Sequence, residues 1–417
     1  MLNKRTLFLV PPVLLGLSAN AFSWGSIGIL GPSTHTRIAA KALKLVDTRV
    51  YPDMDTAAQL IKQGSTSEAG HEGIHNGGGR LKDWWTGGDG RSTLKGGVLP
   101  NYTQLRITDA YLNIGRMCHL TQDQAVPAHA SRVPHSIVLH LPPDGVEKYT
   151  GKNHDFGAIP QVDNSRQPYE YYQELQNETR GHLGEWVNPR TQVPFWVQSE
   201  EGARLTDATL GAPGSYGGGA DTFLDAAASN ERIPGGLTAS EIAARQLGMA
   251  AGYTKALVES ASRELPPLVY GVSLYPNVAT PGHKVEIAFT ALENRTPHVR
   301  YEIGLRPAGG QRRALMSGEL QLEEPRPAFN TGGDNQPAQP SPEENLFNRR
   351  VSLKWDGILD GKPLAEGTYT IDVQLMDDDG NMVPASVNTD GVTENNTSRD
   401  LVVVNTEPSS DLSLSFN

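Results

Sequence analysis

The residue pattern changes character at Pro266-Pro267, and no single secondary-structure class can hold both sides of that boundary. Before it, residues 36–48 (TRIAAKALKLVDT), 102–122 and 239–264 (ASEIAARQLGMAAGYTKALVESASRE) repeat apolar side chains every three or four positions in an alanine-rich background. That is the period of a helix with one buried face. The shorter stretches 55–63 and 168–179 share the period, and Gly-rich segments at 76–98 and 211–219 read as long loops. After the prolines, VSLYP, KVEIAFTAL, VRYEIGL, RVSLKW, GTYTIDVQLMD and RDLVVVN alternate apolar and polar residues, with Gly, Pro, Asn and Asp between them. Period two with turn residues between the runs predicts short strands of a sandwich, interrupted by a loop at 325–345. The expected architecture is a mostly α domain over residues 24–267 followed by an all-β sandwich over residues 268–417.

Residues 1–23 have the layout of a secretory signal peptide: Lys4 and Arg5, the apolar run LFLVPPVLLGL, then SANAFS ahead of Trp24. Ala21 and Ser23 suit a cut that exposes Trp24, and Ala19 with Ala21 also allows a cut after Ala21. No later segment approaches the ~20 apolar residues needed to span a bilayer. The expected destination is therefore secretion, to periplasm, cell surface or medium. Cys118 is the only cysteine, so no intrachain disulfide can form, and its place in a helical run makes it core filling. A formal net charge of −11 argues against stable nucleic-acid binding through broad phosphate neutralisation, though not against catalysis on a phosphodiester.

The chemistry concentrates in HLTQDQAVPAH, from His119 to His129. On a helix His119 and Asp123 stand one turn apart on one face, and His129 follows at the helix exit. Imidazole nitrogen beside carboxylate oxygen suits zinc, and a carboxylate can bridge two ions where an imidazole cannot. Seven of the 11 histidines lie between residues 35 and 140, a density beyond what scattered core or surface histidines would give. Other candidate ligands are Trp24 through a freed amine, His35, Glu68, His71, His75, His135, His140 and Glu147. His71, His154 and His182 read as loop or surface residues, and the adjacent Trp84 and Trp85 as packing residues.

Order and spacing over residues 24–265 resemble the zinc-dependent phospholipase C family, whose wider superfamily includes single-strand-specific nucleases. HLTQDQAVPAH is similar to the family's His-x3-Asp-x5-His string and retains Pro127. The resemblance implies a helical fold holding up to three Zn2+. By that likeness His75, His119 and Asp123 bind one ion, His129, His135 or His140, and Glu147 a second, and Trp24, His35 and a bridging Asp123 the third. Two departures stand out. Ala69 in GSTSEAG occupies the place of the family's metal-neighbouring Asp, leaving Glu68 or His71 to substitute, with Glu68 taken as catalytic base. The tight His-x3-Glu pair is replaced by His135 and Glu147 across a loop. The opening WGSIG also looks like the nuclease branch, but Ile29 stands at that branch's His position.

From Trp355, WDGILDGKPLAEGTYTIDVQLMDDDGN resembles immunoglobulin-like domains of flagellar hook-cap proteins and secreted enzymes. Asp377, Asp378 and Asp379 before Gly380 offer calcium ligands or, the preferred reading, a turn between strands. The leading expectation is a secreted phosphodiester hydrolase of phospholipase C type. Its substrate would be a phospholipid or other phosphodiester, and its sandwich would contact a membrane or cell surface. The alternatives are a nuclease or other phosphoesterase on the same scaffold, and a non-catalytic adhesion protein with a structural metal.

Overall fold

The structure is a computed structural model, and it describes residues 33–66, 80–88, 96–133, 144–198, 216–217, 222–325, 346–383 and 398–404. The signal region with Trp24, and Glu68, Ala69, His71, His75, His135 and His140, lie outside the described residues. A helical region precedes a β-sheet region, as the change of period at Pro266-Pro267 predicts.

The helices are α1 (Thr34–Leu43), α2 (Asp53–Thr56), α3 (Ala58–Ser65), α4 (Arg80–Thr86), α5 (Val98–Thr103), α6 (Ile107–Asp123), α7 (Pro127–Ser131), α8 (Gly145–Thr150), α9 (Tyr171–His182), α10 (Thr222–Ser229) and α11 (Ala239–Glu264). The 26-residue α11 is the spine, buried along most of its length. It begins in a reciprocal cap, in which Glu241 N donates to Thr238 Oγ1 at 3.2 Å and Thr238 N donates to Glu241 Oε2 at 2.7 Å. It ends at Leu265, held extended (φ −73°, ψ 124°) because a residue ahead of proline avoids the helical region. Gly248 and Gly252 let the chain around Ala158 and Pro160 cross its surface backbone to backbone, a closeness that any side chain would block.

Several boundaries differ from the sequence reading. The single helix expected over 102–122 is two, because Leu105 adopts φ 60° and interrupts it, leaving Tyr102 in α5. The first helix runs 34–43 rather than 36–48, ending where Leu45 emerges 41% exposed and has no core to face. The segment 76–98, read as loop, contains α4, on which Trp84 and Trp85 are both buried in the helical core. Its apolar stripe is too short for period alone to show. Cys118 is fully buried, with its thiol pushed well above the ordinary range by burial.

In the sheet region the strands are β1 (Leu268–Tyr275), β2 (Val278–Ala279), β3 (Val285–Glu293), β4 (His298–Pro307), β5 (Arg313–Gln321), β6 (Phe347–Trp355), β7 (Ile358–Leu359), β8 (Lys362–Pro363), β9 (Gly367–Met376) and β10 (Ser398–Val403). One sheet has the order β1-β3-β6 and another the order β2-β10-β9-β4-β5, with β7 and β8 as a separate ribbon. Tyr369, Ile371, Val373 and Leu375 of β9 point inward at alternate positions and share a core with Val285, Ile287 and Phe289 of β3. The runs read as strands fall on β1, β3, β4, β6, β9 and β10, while the two-residue β2, β7 and β8 and the nine-residue β5 were missed. The longest of these, β5, shows why. It lies at a sheet edge with only Leu320 buried, so burial imposes little alternation on it. Leu268, Leu292 and Leu346 join the helical core instead of their own, forming the seam between the regions.

Candidate metal centre

The centre begins with a close helix crossing. Gly64 of α3 faces Gly115 of α6, and a Cβ at either position would run into the other helix, at the Leu112 carbonyl or the Ile61 carbonyl. One residue after Gly64, the carbonyl of Ser65 accepts from His119 Nδ1 at 2.9 Å. His119 stands one turn beyond Gly115, so the glycine contact sets the reach of this bond. His35 enters from the first turn of α1, where Ser33 caps the helix by accepting from Thr36 N at 3.2 Å. Its Nδ1 donates to Gln122 Oε1 at 2.8 Å, and Gln122 Nε2 is held by Thr254 Oγ1 of α11 at 3.1 Å.

Both imidazoles therefore spend their Nδ1 proton on a carbonyl-type oxygen, which directs the Nε2 lone pair of the neutral ring elsewhere. That direction is Asp123. His35 Nε2 is 3.4 Å from Oδ1 and His119 Nε2 is 3.6 Å from Oδ2, one ring to each carboxylate oxygen. The rings stack with centroids 4.0 Å apart and planes 27° from parallel. All three side chains are fully buried, and burial holds His35 below its ordinary pKa despite the neighbouring Asp123 charge. With His35 held neutral by burial, its Nε2 lone pair and the Asp123 carboxylate face one another beside His119 Nε2, a set of ligand atoms that suits a cation.

The ligand atoms of His35, His119 and Asp123 lie within 4.8 Å of one another, close enough to hold one ion. Two ligands at ~2.0–2.1 Å on a tetrahedral zinc stand about 3.4 Å apart, close to the observed separations.

A second buried pair lies nearby. His129 of α7 and Glu147 of α8 approach at 3.2 Å, and both are close enough for their charges to act on His35. Pro127 opens α7, with Val126 before it extended, so the proline starts the helix that carries His129. Asp144 sets the position of Glu147. Its Oδ1 accepts from Val146 N at 2.8 Å and Glu147 N at 3.2 Å, while its Oδ2 accepts from Trp196 Nε1 at 2.8 Å and Tyr216 OH at 3.3 Å.

Of the sequence-predicted ligands, His35, His119 and Asp123 come together, and His129 joins Glu147. Gln122, Ser65 and Asp144 were missed. Asp144 had a signal, an Asp three residues ahead of a Glu at a helix start, whereas Ser65 acts through its carbonyl and no residue type announces that. His182 sits at the end of α9 beside Glu185 and Arg245, and His154 is exposed, as surface histidines should be.

No protein-family model matches the chain, and no curated protein matches it. Among solved structures, the Pseudomonas fluorescens alkylpurine DNA glycosylase AlkC, bound to DNA containing an abasic-site analogue, aligns at 10% identity. That alignment covers 89% of this chain and 96% of the glycosylase, but its TM-score of 0.20 is too low to carry any argument about fold or function.

Proposed function

We propose that this protein is a secreted, metal-dependent phosphodiester hydrolase of phospholipase C type, with residues 24–267 as catalytic domain and residues 268–417 as an immunoglobulin-like accessory sandwich. The observation that carries the reading is the pair of Nδ1-anchored imidazoles aimed at the two oxygens of one buried carboxylate. When bound, zinc supplies a Lewis acid that makes water nucleophilic near neutral pH and offsets phosphoryl charge. Asp123 holds the two imidazoles to a common centre, and Ser65 and Gln122 fix their tautomers. Glu147, whose backbone N–H Asp144 holds at the start of its helix, orients His129 across their 3.2 Å contact. Trp24, His75, His135 or His140 and the base Glu68 belong to the same proposal.

The complete burial of His35, His119 and Asp123 favours a second reading, a structural metal in a non-catalytic surface protein. Native mass spectrometry of the processed chain, with its N-terminal residue sequenced, separates the two when paired with turnover of phosphatidylcholine vesicles and of single-stranded DNA. Two or three zinc ions with lipid turnover supports the proposal, and DNA turnover alone moves it to the nuclease branch. One ion with no turnover establishes the structural reading, and absence of bound metal overturns both.

A further inference from the structure

The helical and sheet regions meet through a second buried polar cluster. Asp53 of α2 accepts from Tyr111 OH of α6 at 2.8 Å, from Ser262 Oγ of α11 at 2.6 Å and from Asn294 Nδ2, just beyond β3, at 3.0 Å. Asn294 Nδ2 also donates to Ser262 O at 2.8 Å, so one amide ties three elements. On the sheet side, Asn381 Nδ2 donates to Arg263 O at the end of α11 at 2.7 Å, and also to Asp377 Oδ2 at 2.8 Å. The turn reading of Asp377–Asp379 fits this, since His298 meets Asp378 and Arg295 meets Asp379.

Glu293, the last residue of β3, sits in this seam at 0% exposure. Its Oε1 accepts the Arg295 backbone N–H at 3.1 Å, the Thr296 backbone N–H also acts on the carboxyl, and among the described residues no hydrogen bond of ordinary geometry reaches Oε2. The groups that face it are Tyr102 of α5, Tyr111 of α6, Asp377 after β9 and the Arg295 guanidinium, with Asp53 of α2 beside the two tyrosines. Ionising Glu293 would add a charge beside the Asp377 carboxyl, with the nearby arginine already held by Asp379. Burial, reinforced by Asp377, pushes the Glu293 carboxyl up to about 8. Burial likewise raises Asp53 and Asp377.

We propose that this seam is a proton-dependent latch between the helical and sheet regions, closed while Glu293 carries its proton and weakened as that proton leaves. Opening the seam returns Glu293 to water, where its ordinary value is 4.5, so the closed form holds the extra proton between there and about 8. Seam stability is therefore full below that window, falls as pH rises through it and levels off above.

Hydrogen exchange of the full chain from pH 5 to 9, corrected for intrinsic rates, reads the opening of α2, α5 and the end of β3. Opening is expected to rise by up to about tenfold per pH unit between about pH 5.5 and 7.5 and then flatten. Glu293→Gln should lower that slope by one proton. An unchanged slope in the variant, or a flat wild-type profile, overturns the latch. Should the variant fold poorly, the protonated-carboxyl infrared band of the wild type decides. Its loss on approaching pH 8 supports the proposal, and its absence at pH 6 overturns it.

Discussion

Asp53 and Asp123 are both buried carboxylates in the helical region, yet their surroundings are opposite in chemical sense. Asp53 is met by three donors, a phenol, a hydroxyl and an amide, which satisfy it as an anion or a hydrogen-bonded acid without any further partner. The described ring atoms facing Asp123 are imidazole nitrogens whose Nδ1 protons are already committed, to Ser65 O and to Gln122 Oε1. A buried carboxylate ringed by donors is a structural tie. One that faces two imidazole nitrogens is a candidate place for a cation. The same residue type at the same burial thus ties elements together in one place and could hold a metal ion in the other, and the difference lies one layer further out.

That contrast can be broken by mutation. Asp123→Asn should cause the largest change, removing more than ~100-fold of metal affinity because it alters a ligand and not a supporting group. Metal stoichiometry of the variant measures it, and full zinc occupancy would remove Asp123 from the centre. Asp53→Ala should act on stability alone, costing about 3 kcal/mol as Tyr111, Ser262 and Asn294 lose a buried acceptor. Denaturant unfolding checks the cost, and a parallel loss of metal would erase the proposed division of roles.

Gly115→Ala tests the crossing that serves the centre. A methyl wedged against the Ile61 carbonyl should destabilise by about 2 kcal/mol and weaken metal binding as Ser65 is pushed off His119. Zinc titration beside thermal melting would reveal whether the two effects travel together. Smallest is Gln122→Ala, which keeps every ligand and releases the His35 tautomer, for about a tenfold loss in metal affinity with little change in fold. An unaltered zinc dissociation constant there would show that His35 is positioned by other means.

Much of the fold was legible because it follows from period and from proline. The 26-residue spine α11 and its stop before Pro266-Pro267 are local features that need no partner to be recognised. What escaped depended on distant contact. The break at Leu105 places α5 separately from α6, and the edge strand β5 carries little burial to impose a pattern. In the centre, His119 and Asp123 were legible as a pair because helical spacing alone puts them on one face. His35 was grouped with them by likeness of order, across a sequence distance that no local rule spans.

The sequence by itself therefore determined which chemical groups were available, where helices give way to strands, and that His119 and Asp123 share a face. Only the tertiary structure decided that His35 stacks on His119, that Ser65 and Gln122 take their Nδ1 protons, and that Asp144 aims Glu147 at His129. The physical reason is range. Backbone periodicity is set by neighbours a few residues away, whereas a tautomer is fixed by a hydrogen bond whose partner, as with His35 and Gln122, can lie 87 residues along the chain.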